Sequence, residues 1–195
     1  MKNYKALSIM AVSILASTQV MADTPSAGGT INFSGAITDT TCTINGGKSA
    51  DFSVALSPIS VTDAGTTANS VITKNKKSIS LTFSDCSPAG ANANSALKIY
   101  FSSAQNISND GRYLINNSVN ENDQAVAKNV GFALTNSGST TPIQLNQPLT
   151  TTLTGSSKAP SAETLNLDVY YYKPNSEPAK VGAVNSSLIY TVSYL

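Results

Sequence analysis

The sequence predicts an all-β protein built as a β-sandwich. Three observations support this prediction: apolar and polar residues alternate in seven or more short runs, turn residues separate the runs, and there is no convincing long helix. Strict alternation places one face of a strand on a core and the other in water. Many such strands at short spacing are typical of an antiparallel sandwich.

The apolar runs follow one another along the chain, and each is justified by its own alternation. Their inward positions are Ile31, Phe33 and Ile37; Phe52, Val54 and Leu56; Ile79, Leu81 and Phe83; Leu97, Ile99 and Phe101; Val130, Phe132 and Leu134; Leu149, Thr151 and Leu153; Leu165, Leu167, Val169 and Tyr171; and Leu188, Tyr190, Val192 and Tyr194. Turn residues lie between the runs at Asn45-Gly46-Gly47, Asp110-Gly111 and Ser137-Gly138. The last run is the most regular, and a strand that nothing follows is either an edge or waits for a partner.

Composition and charge narrow the functional classes. The length of 195 residues suits one domain. The chain holds 28 Ser, 21 Thr and 19 Asn, but it is 41% hydrophobic and only 12% charged, and this composition is not typical of a disordered protein. His is absent, which excludes a Ser-His-Asp triad and His-ligated zinc. A net charge of +1 with Arg112 as the single arginine gives no electrostatic basis for binding nucleic acid.

The N-terminus has the three-part pattern of a secretory signal peptide. Lys2 and Lys5 precede an apolar run of about 11 residues, and Val20 and Ala22 supply the small residues of a cleavage site. The alternative is an N-terminal membrane anchor, but this run is too short to span a bilayer. We therefore expect residues 1–22 to be removed and the mature protein to be exported.

The predicted export bears on whether the two cysteines form a disulfide. Cys42 and Cys86 are the only cysteines in the chain. An oxidising compartment favours a disulfide between them, and closing so long a loop stabilises a fold by roughly 4 kcal/mol. A two-cysteine metal site is the alternative, although the chain offers neither His nor a CxxC spacing.

Several of these segments resemble the type 1-like pilins of Gram-negative chaperone–usher fimbriae. The stretch Gly29–Ile37 followed by Thr41-Cys42 is similar to the start of those proteins, and Phe83–Cys86 is similar to the segment around their second cysteine. Tyr194 is the penultimate residue and Gly182 is the fourteenth from the end, which resembles the subunit–chaperone signature of the family. The resemblance covers essentially the whole precursor.

The resemblance implies an incomplete immunoglobulin-like β-sandwich that lacks its last strand and is completed by a donor strand from a neighbour. A periplasmic chaperone would first fill the groove, and at the outer-membrane usher the N-terminal extension of the next subunit would replace it. We therefore expect a signal peptide at 1–22, a donor-strand extension at 23–35 whose boundary overlaps the first strand, and a pilin domain at 36–195. The expected product is a homopolymeric fimbria on the cell surface that supports adhesion and needs no metal, cofactor or catalytic residue.

The resemblance also assigns site residues. Donor residues would be Gly29, Ile31 and Phe33, and the groove and chaperone-binding strand would involve Gly182, Leu188, Tyr190, Val192 and Tyr194. β-Augmentation of this kind binds through main-chain hydrogen bonds and sets register through alternate side chains.

Other interpretations remain open at this point. Ile31 and Phe33 could start the first strand of their own sandwich, and Gly182 could mark an ordinary turn. The chain could be a minor or adaptor pilin, or an exported carbohydrate-binding sandwich that uses Tyr170-Tyr171-Tyr172. An enzyme is disfavoured because the nearest carboxylate pair, Glu121 and Asp123, lies in a polar stretch. A tip adhesin would need a second domain, for which the chain is too short.

Overall fold

Seven β-strands and two short helical turns make up the part of the chain that the computed structural model describes. The described residues are 40–47, 51, 53–88, 96–103, 105–116, 125–154 and 163–193. The strands are β1 (Thr40–Ile44), β2 (Ser70–Pro88), β3 (Ala96–Ser102), β4 (Gly131–Asn136), β5 (Leu149–Thr154), β6 (Glu163–Lys173) and β7 (Ile189–Ser193). A 3₁₀ turn covers Asn45–Gly47, and the four-residue helix α1 covers Val61–Ala64.

The strands form two antiparallel sheets. One has the order β1-β2-β6-β4, and the other has the order β5-β3-β7. Every pairing within them is antiparallel. The predicted all-β architecture is confirmed, and the runs predicted near residues 97–101, 130–134, 149–153, 165–171 and 188–194 correspond to β3 to β7.

Apolar side chains from both sheets meet in one core cluster. Leu81 and Phe83 come from β2, Leu97 and Ile99 from β3, and Val192 from β7. Phe83, Leu97 and Ile99 are completely buried. Since full burial of such a side chain contributes about 1.5–3 kcal/mol, this cluster accounts for much of the attraction between the sheets.

Strand β2 is longer and less regular than the sequence predicts. The alternating run at 78–84 is its second half, and the lysine-rich stretch before it belongs to the same strand. Residues 73–76 face Tyr170 alone, because the pairing jumps from Ile72↔Tyr171 to Lys77↔Val169. This irregularity is a β-bulge, which bends the strand and frees the inserted side chains to bind other elements.

Three of the inserted side chains each bind a different part of the domain. Lys74 Nζ forms an ion pair with Asp63 at 2.7 Å, Asn75 Nδ2 donates to the Pro58 carbonyl at 2.8 Å, and Lys76 Nζ lies 2.8 Å from Asp168. The bulge therefore ties β2 to α1, to the segment before it and to β6.

The strand predicted around Phe52, Val54 and Leu56 is wrong for its described part. Residues 53–60 form no strand, and Phe52 lies outside the described residues. Leu56 instead packs beneath α1 against a cluster that includes Ile72 and Tyr171. The alternation at Val54 and Leu56 therefore reflects partial burial of alternate side chains, and this segment has no β-strand pairing among the described residues. Pro58 and the capping box of Ser60 with Asp63 then start the helix.

The carboxylate of Asp168 is a buried polar group in the middle of the four-stranded sheet. Its side chain has no exposed surface, and it accepts hydrogen bonds from Lys76 Nζ at 2.8 Å, Ser78 Oγ at 2.6 Å and the Gly138 amide at 3.0 Å. These donors, Lys76 first, lower the pKa of Asp168 from 3.8 to about 2. A lowered pKa in the folded state means stabilisation that is present above pH 4 and lost as the pH falls towards 2.

We expect Asp168→Asn to lower the free energy of unfolding by about 1–3 kcal/mol at neutral pH, because a charged acceptor of three hydrogen bonds is lost. Urea unfolding at pH 7, 4 and 2 should show the difference from the wild type shrinking as the pH falls. Asp85→Asn, at an exposed carboxylate, is the matched control and should have little effect at any pH. A difference for Asp168→Asn that is independent of pH would contradict the prediction.

Candidate functional site

Among the strands that the structure describes, β7 is the last of the three-stranded sheet and pairs with β3. The register runs from Lys98↔Ser193 to Ser102↔Ile189. In β7, Val192 is buried in the core cluster and Tyr190 packs against that cluster. Leu188, just before the strand, packs against a second cluster that includes Leu145 and Leu167. The inward positions predicted for residues 188, 190 and 192 are therefore correct, and Tyr194 lies outside the described residues.

The hydroxyl of Tyr190 is set in a partly apolar environment at this strand. Burial, and in second place the carboxylate of Asp51, raises the pKa of Tyr190. The ring presents an apolar body and a polar tip at the edge of the core.

Gly182 lies at a bend in the connection from β6 to β7, where two backbone segments come very close. The Ala183 amide donates to the Ala125 carbonyl at 2.7 Å, and the Ala127 amide donates to the Ala183 carbonyl at 3.0 Å. A Cβ at position 182 would overlap the backbone of residues 125–127, and its φ of +154° is one that other residues rarely adopt. Close approach of the backbones thus explains this glycine.

Asparagine side chains anchor the same connection along its length. Asn129 Nδ2 donates to the Pro178 carbonyl at 2.9 Å. Asn116 bonds the backbone at residues 183 and 185, and Asn106 bonds Ser187. Lys173, whose side chain is buried, donates to the Asn175 carbonyl at 2.8 Å. Sequence reasoning missed these anchors, because nothing distinguishes them among 19 asparagines.

A disulfide joins Cys42 of β1 to Cys86 of β2, as predicted. The two Cα atoms are 4.1 Å apart, and the register of the two strands shifts between Thr41 and Thr43. Cys86 is buried in the core cluster, and Cys42 packs against it. The bridge therefore fixes the edge strand β1 to the rest of its sheet.

The tyrosines considered as a carbohydrate platform are not available for stacking on a sugar. Tyr170, Tyr171 and Tyr172 are 4%, 8% and 0% exposed. Tyr172 stacks on Tyr113 with ring centroids 4.9 Å apart. These rings hold the domain together, and the interpretation of residues 170–172 as a sugar-binding surface is wrong.

Neither a metal site nor a membrane-spanning helix is present in the described part of the chain. Within it, no group of three or more His, Cys, Asp or Glu side chains is arranged to hold a metal ion. None of its helices has the length and apolar character needed to cross a membrane. The predicted donor residues Gly29, Ile31 and Phe33 lie outside the described residues, so their role stays a prediction.

Comparisons with known proteins place the chain in a family. The model of the family described as fimbrial protein matches residues 31–195. The fold is similar to that of the P pilus rod subunit PapA, with a TM-score of 0.51 and 14% identity over 86% of this chain and 100% of that chain. It is also similar to a subunit of a chaperone–usher pilus solved in a study of rod uncoiling, with a TM-score of 0.50 and 18% identity over 88% and 98% of the two chains.

No curated protein sequence matches the chain. The two solved structures share its fold at low identity, and the family model spans most of its length. The chain therefore belongs to the fimbrial protein family and is a structural subunit of a pilus.

Proposed function

We propose that this pilus subunit polymerises by donor-strand exchange, with residues 23–35 of one mature subunit completing the sandwich of a neighbour beside β7. The observation that supports the proposal is the place of β7 as the last strand of the three-stranded sheet among the residues that the structure describes. There it offers alternate side chains, Tyr190 and Val192, to the core cluster. A strand added along such an edge gains main-chain hydrogen bonds, and its own alternate side chains reach the same core.

The N-terminal segment has the pattern that such a donor needs. Gly29, Ile31 and Phe33 recur at every second position, so they share one face of an extended strand. Two apolar side chains and a glycine would enter the groove, where the glycine permits close approach of the two backbones. In this proposal residues 1–22 are the signal peptide, 23–35 the donor extension and 36–195 the pilin domain.

The exposure of an apolar strand edge before assembly also suggests which partners the subunit needs. An apolar edge left open in the periplasm favours aggregation, so a chaperone would cover it until an outer-membrane usher presents the next subunit. Leu188, Tyr190, Val192 and Tyr194 would contact the chaperone, and Gly182 would hold the approach to that strand. The product is a homopolymeric fimbria on the cell surface that supports adhesion, with a structural rather than an enzymatic role.

A peptide complementation experiment tests this proposal. A chain beginning at Ala36 should refold poorly alone and should be stabilised by a synthetic peptide of residues 23–35. Because the peptide binds the folded state and not the unfolded one, stabilisation should grow with its concentration and reach about 2.7 kcal/mol at a hundred times its Kd. Thermal unfolding at several peptide concentrations measures the effect.

The matched control is the same peptide with Ile31 and Phe33 replaced by asparagine, which keeps its length and net charge. This control peptide should not stabilise the shortened chain. A shortened chain that is already stable, monomeric and indifferent to both peptides would show that no groove exists.

A further inference from the structure

The segment that leads into β7, residues 183–188, is held by the side chain of Asn116. Its Nδ2 donates to the Ala127 carbonyl at 2.8 Å and to the Ala183 carbonyl at 2.9 Å, and its Oδ1 accepts from the Asn185 amide at 2.9 Å. Both donors of the amide are used, and one side chain bonds three backbone groups from two separate segments.

Asn106 holds the same segment closer to the strand. Its Nδ2 donates to the carbonyl and to the hydroxyl of Ser187, each at 3.0 Å. Ser186 Oγ adds a bond to the Ile115 carbonyl at 2.9 Å. The chain is therefore fixed at residues 183, 185, 186 and 187, immediately before β7 begins at Ile189.

The position of these anchors matters because β7 is only five residues long and is held by one neighbour, β3, within the described part of its sheet. A slip of one residue along β3 would exchange the two faces of the strand. Thr191 and Ser193 would then take the inward positions of Tyr190 and Val192, and polar side chains would face the core cluster.

We propose that Asn106 and Asn116 are positioning residues for subunit assembly, which fix the register of β7 and thereby the side chains that it offers to a donor strand. This inference rests on the proposed donor-strand exchange. Neither asparagine belongs to the core clusters or to β7, so an effect on the donor strand would pass through the strand that they position.

The test uses the full chain, made in its native host with the gene replaced by Asn116→Ala or Asn106→Ala. Asn129→Gly is the matched control, because this asparagine also anchors the connection before β7, through Pro178 and Asn175, but further from the strand, and glycine adopts its φ of +59° without strain. Purified fimbriae are examined by hydrogen–deuterium exchange, peptide by peptide, and by their rate of dissociation in detergent.

Exchange at β7 should be about tenfold faster in the Asn106 and Asn116 variants than in the wild type, which corresponds to roughly 1.4 kcal/mol. Exchange at β6 should be unchanged, and fimbriae should dissociate about tenfold faster. A merely structural role would weaken both strands together. The Asn129 variant should stay within about twofold of the wild type at β7, since the two hydrogen bonds that it loses are remote from that strand.

Equal β7 exchange and equal dissociation in all three variants would overturn the inference. If the Asn116→Ala subunit is degraded before assembly, the Asn106→Ala variant alone tests the inference. It is the milder change, because it loses only the contacts to Ser187. If the peptide of residues 23–35 does not stabilise the shortened chain, donor-strand exchange itself would be disproved. If the peptide stabilises the shortened chain but neither asparagine variant changes exchange at β7, only the positioning role of Asn106 and Asn116 would be disproved.

Discussion

Fimbriae should be absent from cells whose subunit carries Phe33→Asp, although the variant subunit should still accumulate in the periplasm. In the proposed exchange, Phe33 enters the groove of a neighbour, beside Tyr190 and Val192. An unpaired carboxylate among apolar side chains costs several kcal/mol, and nothing in an apolar groove would offset that cost. The groove of the variant itself is unaltered, so the chaperone should still protect it.

The neighbouring residue provides a matched control. Asn32→Asp adds the same charge one position away, and alternation places it on the opposite face of an extended strand. This variant should assemble nearly as well as the wild type, and Phe33→Leu should keep most of the assembly because its side chain stays apolar. Immunoblots of sheared surface material and of periplasm, with electron microscopy of the cells, measure both pools.

Two outcomes would contradict this prediction. Normal fimbriae from Phe33→Asp would show that the residue is not buried in a neighbour. Equal loss of fimbriae from Asn32→Asp and Phe33→Asp would point to a general effect of charge in the extension rather than to a face that enters a groove.

The strands that alternation predicts correctly are those with one face on the core. Every residue of β6 from Leu167 to Lys173 is buried, so burial does not alternate there. In β3 only Leu97 and Ile99 are buried, at every second position, and burial is the property that the pattern records. The inward residues of β7 follow the same rule. The fold class and the inward side chains of β7 were therefore predictable from local sequence.

The features that escaped prediction depend on hydrogen bonds between residues far apart in the chain. The bulge of β2 is stabilised through Lys74, Asn75 and Lys76, which look like a solvated charged stretch in sequence. Their partners lie in α1, in the segment before it and in β6. No periodicity encodes such pairings, because polar side chains form them one at a time.

Gly182 shows the limit of motif reasoning in a different way. The family resemblance singles out the position, and the structure supplies a physical reason in the overlap that a Cβ would make with residues 125–127. That contact joins segments more than fifty positions apart in the chain. A single sequence marks the glycine but does not reveal the backbone that it must avoid.

Loss of the Cys42–Cys86 disulfide should lower the free energy of unfolding by about 4 kcal/mol, since the bridge closes a loop between residues 44 positions apart. Such a loss is large against a typical domain stability of about 5–15 kcal/mol. Subunit yield should therefore fall sharply. Urea unfolding of the purified variants and periplasmic subunit levels measure the two effects.

A double-mutant cycle separates the cross-link from the packing of the two sulfurs. Either Cys42→Ala or Cys86→Ala alone breaks the bridge, so the double variant should be about as unstable as the single ones. Alanine is the better replacement, because Cys86 is buried in the core cluster and a serine hydroxyl there would add its own cost. If the two single losses instead added up in the double variant, the cysteines would stabilise the domain by packing, and the bridge between β1 and β2 would contribute little.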